Sequence, residues 1–275
     1  MFLFSAVDTQ GKFLTETLHP IQIVWSRQMG LVLGVILLLA YRGFGVLRTK
    51  NPKLQVTRGA LAAGSATLFI YAVSYVPIAD ATAVSFVAPF MVTLLGAFVL
   101  REPVGIRRWS AVIIGFLATL LIIRPGFGTI HPAVMLVLLA AALFAGRQVI
   151  SRFLSGSDCT ETTVAYTALV SIIVLTIPLP FFWQWPTSNT EIVILCTMAL
   201  TAAVAEILVI KALEVAQAVV VSPLHYTLIL WSTAWGYFVF SDVPDLWTMI
   251  GALIIVSTGF YTLHRERVVA RGRTK

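Results

Sequence analysis

The segment that decides the fold is Gly59–Leu100, which reads GALAAGSATLFIYAVSYVPIADATAVSFVAPFMVTLLGAFVL and contains one charged residue, Asp80. A helix that crosses the hydrocarbon core of a bilayer needs about 20 mostly apolar residues. Asp80 divides the segment into two stretches of that length, and Pro77 favours a turn before it because proline interrupts a helix. The segment therefore predicts a hairpin of two membrane-spanning helices, 59–79 and 81–100.

The composition extends this prediction to the whole chain. Of its 275 residues, 59% are hydrophobic and 11% are charged, whereas soluble domains carry about 25% charged residues. Nineteen basic and twelve acidic residues cannot cover a soluble globule of this size, which excludes a cytosolic enzyme, a disordered chain and a secreted disulfide scaffold. Cys159 and Cys196 stand apart from any CxxC or Cys/His cluster. We expect buried thiols, no metal and no cofactor.

Charges recur along the chain at close to the spacing of membrane spans. The pattern predicts an all-α polytopic membrane protein with ten transmembrane helices. The first segment is too short to cross a bilayer, so we expect Met1 to fall partway through a helix, by truncation or by incomplete coverage of a longer chain. The predicted helices are Phe2–Leu14, Pro20–Tyr41, Gly59–Ala79, Ala81–Leu100, Trp109–Ile123, His131–Leu154, Thr162–Trp183, Ile192–Val215, Val215–Ser241 and Leu246–His264.

The placement of Lys and Arg predicts the orientation. With ten helices, alternate connections fall on opposite sides, and one side receives sixteen of the nineteen basic residues. The other side receives only Lys12, Arg27 and Arg124. Because cytoplasmic loops carry an excess of Lys and Arg, both termini are expected in the cytoplasm. Four tryptophans lie near the opposite, predicted outer ends, where an aromatic belt belongs: Trp25, Trp183, Trp185 and Trp247.

The second half of the chain resembles the first half at a constant offset. Each half, 1–127 and 128–275, then holds five helices, and because five is odd the second half enters the membrane from the opposite side. This predicts an inverted repeat, the usual build of secondary transporters, with the substrate site between the halves near the midplane. The matches pair Phe4, Lys12-Phe13-Leu14 and Arg101-Glu102-Pro103 of the first half with Phe144, Arg152-Phe153-Leu154 and Ser241-Asp242-Val243-Pro244 of the second.

Motifs in both halves resemble the EamA family of the drug/metabolite transporter superfamily, over nearly the whole chain. The resemblance implies ten helices in two inverted halves, export of small metabolites and a central cavity lined by both halves, with bacterial aromatic amino-acid exporters as neighbours. Two features depart from the pattern: the first helix lacks its opening half, and Asp242 replaces the commoner glutamate. The motifs are Ala81-Thr-Ala-Val-Ser-Phe-Val-Ala-Pro89, Leu100-Arg-Glu102-Pro-Val-Gly-Ile-Arg-Arg-Trp109, Arg124-Pro-Gly126, Ser222-Pro223-Leu-His-Tyr226, Phe240-Ser-Asp242-Val-Pro244 and Gly259-Phe-Tyr261.

Charged residues inside the predicted spans are the first candidates for substrate binding, because a lone charge in hydrocarbon is costly. Asp8 and Lys12 stand at i and i+4 and are expected to neutralise each other on one face; they either line the cavity or form a structural pair. Arg27, beside Trp25, is expected to be a snorkelling anchor. Glu206 is the best candidate for a proton-coupling carboxylate, or alternatively it holds the bundle together.

Aromatic and polar residues inside the spans complete the candidate substrate-binding set. Pro89 is expected to kink the fourth helix, and Trp231 and Trp235 at i and i+4 could stack on a planar substrate or merely pack. GxxxG-like patterns such as Gly30-x-x-x-Gly34 are expected to let helices approach closely. The remaining candidates are Tyr71, Tyr75, Ser85, His225 and Tyr226, with Gln148 and Tyr166 as weaker ones.

The sequence therefore predicts a secondary exporter of small metabolites, chiefly amino acids and aromatic ones among them, in a bacterial inner membrane. It works by alternating access, with proton coupling as an option. The alternative is an uncoupled facilitative carrier or channel for drugs or other small metabolites. An intramembrane enzyme is disfavoured because HExxH and GxSxG are absent, and GxxxxGK[ST] is absent too. The expected partners are a small-molecule substrate and the lipid bilayer without nucleic acid, and a monomer suffices.

Overall fold

A computed structural model describes residues 1–99, 106–123, 131–154, 157–215 and 227–273. Within these ranges the chain forms helices and their connections, and no β-strand is found there. A short 3-10 turn, Phe44–Leu47, follows the second helix. The α-helices are α1 (Phe2–Leu14), α2 (Pro20–Arg42), α3 (Pro52–Val73), α4 (Ile78–Ser85), α5 (Ala88–Val99), α6 (Ile106–Ile123), α7 (Val134–Leu154), α8 (Thr160–Thr176), α9 (Leu179–Phe182), α10 (Asn189–Val215), α11 (Leu228–Phe240) and α12 (Leu246–Arg273).

The helices have the composition of a membrane bundle. Among the described residues, α2, α3 and α7 are long and apolar enough to cross a bilayer. Shorter apolar helices include α8, α11 and the first parts of α10 and α12. The all-helical membrane fold is thus as predicted. The count of ten spans stays a prediction, since parts of the chain lie outside the described ranges.

Two predicted helices are not continuous. The span expected over 162–183 is divided into α8 and α9 by a turn at Ile177 and Pro178. The span expected over 81–100 is divided into α4 and α5 by a turn at Phe86 and Val87. Pro89 lies in the first turn of α5, and because proline has no N–H it cannot donate to the carbonyl four residues earlier. The backbone is therefore interrupted just before Pro89, where the sequence predicted a kink. The prediction of a single helix over 81–100 was wrong, because Pro89 cannot make the backbone hydrogen bond that would continue the helix.

The two cysteines were also predicted incorrectly. Cys159 precedes the first residue of α8 and Cys196 lies within α10, and both side chains are exposed rather than buried. Cys196 lies on a helix at the outside of the bundle, where a thiol can contact lipid without penalty, whereas Cys159 lies in the α7–α8 connection.

Packing between the helices follows a pattern that the two halves share. Helix α3 of the first half packs against α7 and α8 of the second half. In the corresponding way, α10 of the second half packs against α1 and α2 of the first half. Helix α1 packs against α11 as α7 packs against α5 and α4. As a result α1 is enclosed by helices of both halves, and polar side chains on α1 face the interior of the bundle.

Two pairs of helices approach each other closely, and the residues at the two points of contact correspond to each other in the repeat. A Cβ atom on Gly30 of α2 would overlap the carbonyl oxygen of Ala199 in α10, and one on Gly59 of α3 would lie 2.6 Å from the Cβ of Val170 in α8. The offset that pairs Phe4 with Phe144 also pairs Gly30 with Val170 and Gly59 with Ala199.

These distances test the packing expected of the small residues. The close packing predicted at Gly30 is confirmed. The close packing predicted at Gly34 is wrong, because no atom of the described residues lies within 4 Å of a Cβ added to Gly34.

The bundle has two ends, named here by the connections they hold. The α1–α2 end holds the connections α1–α2, α3–α4, α9–α10 and α11–α12. The Gln22 amide, in the first turn of α2, joins this helix to the α9–α10 connection by donating to Gln184 O (2.8 Å) and accepting from Gln184 N (2.9 Å). The α2–α3 end holds the connections α2–α3 and α7–α8, where the Thr162 hydroxyl donates to Val46 O (2.7 Å). Connections predicted on one side of the membrane therefore lie together.

Candidate functional site

A polar stripe runs along α1. Ser5, Asp8 and Lys12 stand at i, i+3 and i+7, a spacing that places side chains on one face of an α-helix. Each of the three contacts a different partner on a neighbouring helix or connection. The α1 polar stripe therefore crosses the interior of the bundle and ends at the α1–α2 end.

Asp8 pairs with Arg27 of α2. Arg27 Nη1 lies 3.4 Å from Asp8 Oδ1, and both side chains are less than a fifth exposed. At a rise of 1.5 Å per residue, Asp8 lies about 9 Å and Arg27 about 10 Å from the α1–α2 end of its helix, so the pair lies at a similar depth in the two helices. The predicted Asp8–Lys12 pair is wrong, and so is the snorkelling role of Arg27. An oppositely charged group at equal depth on the adjacent antiparallel helix satisfies Asp8 better than a neighbour on its own helix.

Lys12 pairs with Asp242, across the two halves of the sequence. Lys12 Nζ lies 2.7 Å from Asp242 Oδ2 and 4.4 Å from the centre of the Phe240 ring. Ser241 has a left-handed backbone (φ 57°) that ends α11, and Asp242 N donates to Gly236 O (3.0 Å). This cap holds the Asp242 carboxylate next to α1.

The deepest part of the stripe is a cluster of three buried hydroxyls. Ser5 Oγ lies 3.2 Å from Ser232 Oγ of α11, and the Thr82 hydroxyl of α4 donates to Ser232 Oγ at 3.1 Å. All three residues are buried. Hydroxyl groups commonly hydrogen-bond between membrane helices, so this cluster joins α1 to α4 and α11 in the interior.

Gln10 lies on the opposite face of α1. Its Nε2 donates to Thr197 Oγ1 of α10 at 3.3 Å, while its Oε1 is buried and has no hydrogen-bond partner among the described residues. The sequence reasoning missed Gln10 and Thr197. A polar amide within an otherwise apolar helix is the signal that could have identified Gln10.

Tyr71 and Tyr75 lie together, as their spacing predicted, at the α1–α2 end. Their ring centres are 5.6 Å apart, Tyr75 stacks on His131 at 5.1 Å, and His19 stacks on Phe182 at 4.2 Å. The two tyrosines and His19 line an open cleft of about 250 Å³. Burial lowers the pKa of the His19 imidazole, which favours the neutral ring in the stack.

The other candidate residues are dispersed. Trp231 and Trp235 both contact Phe2, at ring-centre distances of 5.1 and 5.5 Å. The Ser85 hydroxyl donates to Thr82 O at 2.7 Å, which ties it to the helix backbone. The remaining candidates lie elsewhere or outside the described part: Gln148 is exposed, Tyr166 donates to Leu47 O at the α2–α3 end (3.2 Å), and the side chains of Pro89 and Glu206, with all of His225 and Tyr226, lie outside the described residues.

The α2–α3 end is held by a network that the sequence did not reveal. Gln55, fully buried, donates to Asp158 Oδ2 at 2.8 Å and to Thr163 Oγ1 at 3.1 Å. Partial burial raises the pKa of the Asp158 carboxyl, but hydrogen bonds from Thr49, Gln55 and Lys50 N outweigh it and hold the pKa below its ordinary value. The network therefore depends on the ionised carboxylate.

Arg58 extends this network to α7 and α8. Its Nε donates to Ser151 Oγ at 2.7 Å, and its Nη1 donates to the Thr167 hydroxyl. Arg42 pairs with Glu161 at 2.6 Å, but both side chains are well exposed. Within the described part of the chain, no three His, Cys, Asp or Glu residues lie close enough to hold a metal ion.

Comparison with known proteins identifies the family. The model of the EamA-like transporter family matches residues 1–124 and again residues 131–262. The chain belongs to the EamA-like transporter family. Members of this family are transporters and not enzymes, so this EamA chain is a multi-pass membrane transporter of small molecules. The expected resemblance is confirmed over both halves.

Named relatives of this EamA chain carry different substrates. It is 26% identical to the S-adenosylmethionine uptake transporter of Rickettsia prowazekii, covering 97% of this chain and 92% of the relative. It is 27% identical to the pseudopaline exporter CntI of Pseudomonas aeruginosa (93% and 90%) and 30% identical to the riboflavin transporter of Vibrio cholerae (88% and 83%). A solved structure at 18% identity has a TM-score of 0.64 and covers 97% of both chains, which shows the fold alone.

Proposed function

We propose that this protein is a secondary transporter that exports small metabolites, chiefly amino acids and aromatic ones among them, by alternating access. The observation that carries the proposal is the α1 polar stripe. It places charged groups inside the span, on a helix that contacts both halves. Intramembrane charges at a helix interface are the usual mark of a substrate pathway.

Ten spans in two inverted halves, 1–127 and 128–275, are part of the proposal. Three observations support it: the family model matches the chain twice, helix contacts recur with the halves exchanged, and the close contacts Gly30–Ala199 and Gly59–Val170 correspond at the offset of the repeat. The residues that align with Lys12 and Asp242 at this offset also carry opposite charges. They are Arg152 and Glu102, of which Glu102 lies outside the described residues.

In an alternating-access cycle the two ends open in turn. Lys12 and Asp242 belong to different halves and pair at the α1–α2 end, where their side chains are 15% and 31% exposed. Partly desolvated charges attract each other more strongly than exposed ones. We assign this pair the role of a latch that closes the α1–α2 end.

The proposed setting is a bacterial inner membrane with both termini in the cytoplasm. The α2–α3 end then faces the cytoplasm, because residues 42–58 around its α2–α3 connection include five Lys and Arg, whereas the connections at the α1–α2 end contain none. The chain acts as a monomer in this proposal, since helices of both halves enclose α1.

The substrate class rests on side chains and on the relatives. A carboxylate and a guanidinium within the span suit a ligand that carries both charges. S-adenosylmethionine, the substrate named for one relative, contains an α-amino acid group. The aromatic side chains around Phe2 suit a planar substrate side chain.

Proton coupling through Glu206 is the finer part of the proposal, and an uncoupled carrier or channel for drugs or other metabolites is the alternative. A carboxylate inside the span could bind and release a proton during each cycle. Replacement of Glu206 by Gln separates the two mechanisms. Coupling through Glu206 requires the variant to lose the pH dependence of flux, whereas unchanged pH dependence contradicts it.

Counterflow in proteoliposomes tests the function itself. Purified protein is reconstituted with each of the twenty amino acids, riboflavin or S-adenosylmethionine inside, and entry of the labelled compound is measured against protein-free liposomes. The proposal requires exchange of at least one amino acid. Exchange of riboflavin or S-adenosylmethionine alone would contradict the amino-acid class while leaving a transporter, and exchange of none would contradict the transport function.

A further inference from the structure

We infer that Asp8 and Arg27 together form the binding site for the zwitterionic backbone of an α-amino acid. The ammonium group of the ligand binds the Asp8 carboxylate, and its carboxylate binds the Arg27 guanidinium. This inference rests on the proposed function and assigns one ligand class to one pair of side chains.

The contact between Asp8 and Arg27 is long enough for a ligand to compete with it. Arg27 Nη1 and Asp8 Oδ1 are 3.4 Å apart, longer than the roughly 2.7–2.9 Å of a strong charge-assisted hydrogen bond. The Lys12–Asp242 pair on the same stripe has the shorter distance of 2.7 Å. The Asp8–Arg27 contact is therefore the weaker of the two, and a ligand can replace it at smaller cost.

Among the described residues, neither group uses its full hydrogen-bonding capacity. Within the described part of the chain, the single contact at 3.4 Å is the hydrogen bond that joins these two side chains. A carboxylate has about four acceptor positions and a guanidinium has five N–H donors. A zwitterion inserted between them would take up donors and acceptors that the pair leaves open.

Burial explains why the ligand must carry both charges. The side chains of Asp8 and Arg27 are 14% and 19% exposed and lie about 9–10 Å inside their helices. An extra unpaired charge at membrane depth costs free energy. A zwitterion adds none, whereas an amine or an acid of the same shape leaves either Arg27 or Asp8 with an unmatched charge.

Binding measurements on the protein in lipid nanodiscs test the inference. The probes are L-phenylalanine, phenethylamine, which lacks the carboxylate, and 3-phenylpropionate, which lacks the amine. Affinities are measured by titration calorimetry, and nanodiscs make both sides of the protein accessible. We expect L-phenylalanine to bind about tenfold or more tightly than either analogue, as hydrogen bonds to charged groups predict.

Substitutions then assign each charge. Asp8→Asn should weaken phenylalanine binding by about tenfold or more and should not weaken 3-phenylpropionate binding. Arg27→Gln should weaken phenylalanine binding to a similar extent and should not weaken phenethylamine binding. Arg42→Gln and Glu161→Gln are matched controls, because that exposed ion pair lies at the opposite end; neither should change any of the three affinities.

The double variant Asp8→Asn/Arg27→Gln keeps the test decisive if a single variant fails to fold, because it leaves neither charge unpaired. It should bind the three probes with similar affinity. The inference is overturned if the double variant still prefers phenylalanine, or if the wild type binds all three probes alike. Counterflow of another compound without amino-acid binding would overturn this inference and leave the transporter intact.

Discussion

At the α2–α3 end, the Asp158 carboxylate accepts hydrogen bonds from Thr49, Gln55 and Lys50 N, and Arg58 adds two donors nearby. At the α1–α2 end, the Lys12–Asp242 ion pair and two hydrogen bonds between the Gln22 amide and the Gln184 backbone join the halves, beside stacked rings and an open cleft. At the first end three hydrogen bonds converge on one carboxylate, whereas the second end contains an open cleft beside its contacts. We expect the α1–α2 end to separate at lower cost.

The largest effect should come from Gln55→Leu. The substitution removes two hydrogen bonds from a fully buried amide, one of them to a charged group, and should lower the free energy of unfolding by about 2–3 kcal/mol. Thermal unfolding in detergent measures the change. Gln148→Leu is the matched control, because Gln148 is exposed. Equal shifts for the two variants would contradict the importance of the network.

A double-mutant cycle on Lys12 and Asp242 should give the next largest effect. Lys12→Met and Asp242→Asn, singly and together, should yield a coupling free energy of about 1–2 kcal/mol, since the pair is partly buried. The same cycle on Arg42 and Glu161 should give no more than about 1 kcal/mol, since that pair is exposed. If the exposed pair proved the stronger, the latch assignment would fail.

The latch also has a kinetic consequence. Loss of the Lys12–Asp242 pair removes a contact that holds the halves together, so a cysteine placed at Ser74 should react faster with a water-soluble thiol reagent in Asp242→Asn than in the unaltered background. Cys159 and Cys196 are exposed and are first replaced by serine. An unchanged reaction rate would show that the pair does not limit opening.

Acid should weaken the α2–α3 end selectively. Because the folded pKa of Asp158 is lowered, its stabilising contribution is complete above the unfolded-chain pKa of about 4. The contribution is lost as the pH falls through the lowered folded value. Unfolding midpoints measured from pH 7 to pH 3 should fall less steeply in Asp158→Asn than in the wild type. Parallel pH profiles for the two proteins would exclude this carboxylate as the source.

The smallest effect should come from the rings at the α1–α2 end. Tyr75→Ala removes the stack on His131 and should cost about 0.5–1.5 kcal/mol, while Tyr75→Phe keeps the ring and should cost less. Tyr41→Ala serves as the control, because Tyr41 is 93% exposed. A stability change at Tyr41 as large as at Tyr75 would show that the stack contributes nothing specific.

Much of the helix pattern could be predicted because it depends on local chemistry. Arg, Lys and Asp at regular intervals mark where a helix leaves the apolar phase, and Pro89 breaks a helix whatever surrounds it. The end of α11 at Phe240 also followed from Asp242 two residues later. These features need no knowledge of which helices are neighbours.

The partners within the site could not be predicted in the same way. Asp8 has Lys12 one turn away in sequence, but Arg27, on the next helix, lies opposite it. Lys12 instead meets Asp242, 230 positions away. Pairing at such separations depends on helix order and rotation, which a local pattern does not contain. Gln55 was missed for the same reason, since its role arises from Asp158 and Thr163 in other elements.

The contacts Gly30–Ala199 and Gly59–Val170 lie at corresponding positions of the repeat, and this has a consequence for the evolution of the chain. If both halves descend from one duplicated gene, the ancestral protein was a dimer of identical subunits, and the same two residues formed both contacts. A dimer of two present-day first halves would now place Gly30 against Gly59 and leave a gap. A dimer of two second halves would place Val170 against Ala199, where the helices of the intact chain leave no space for a side chain. At these two contacts, each half therefore fits the other half better than it would fit a copy of itself.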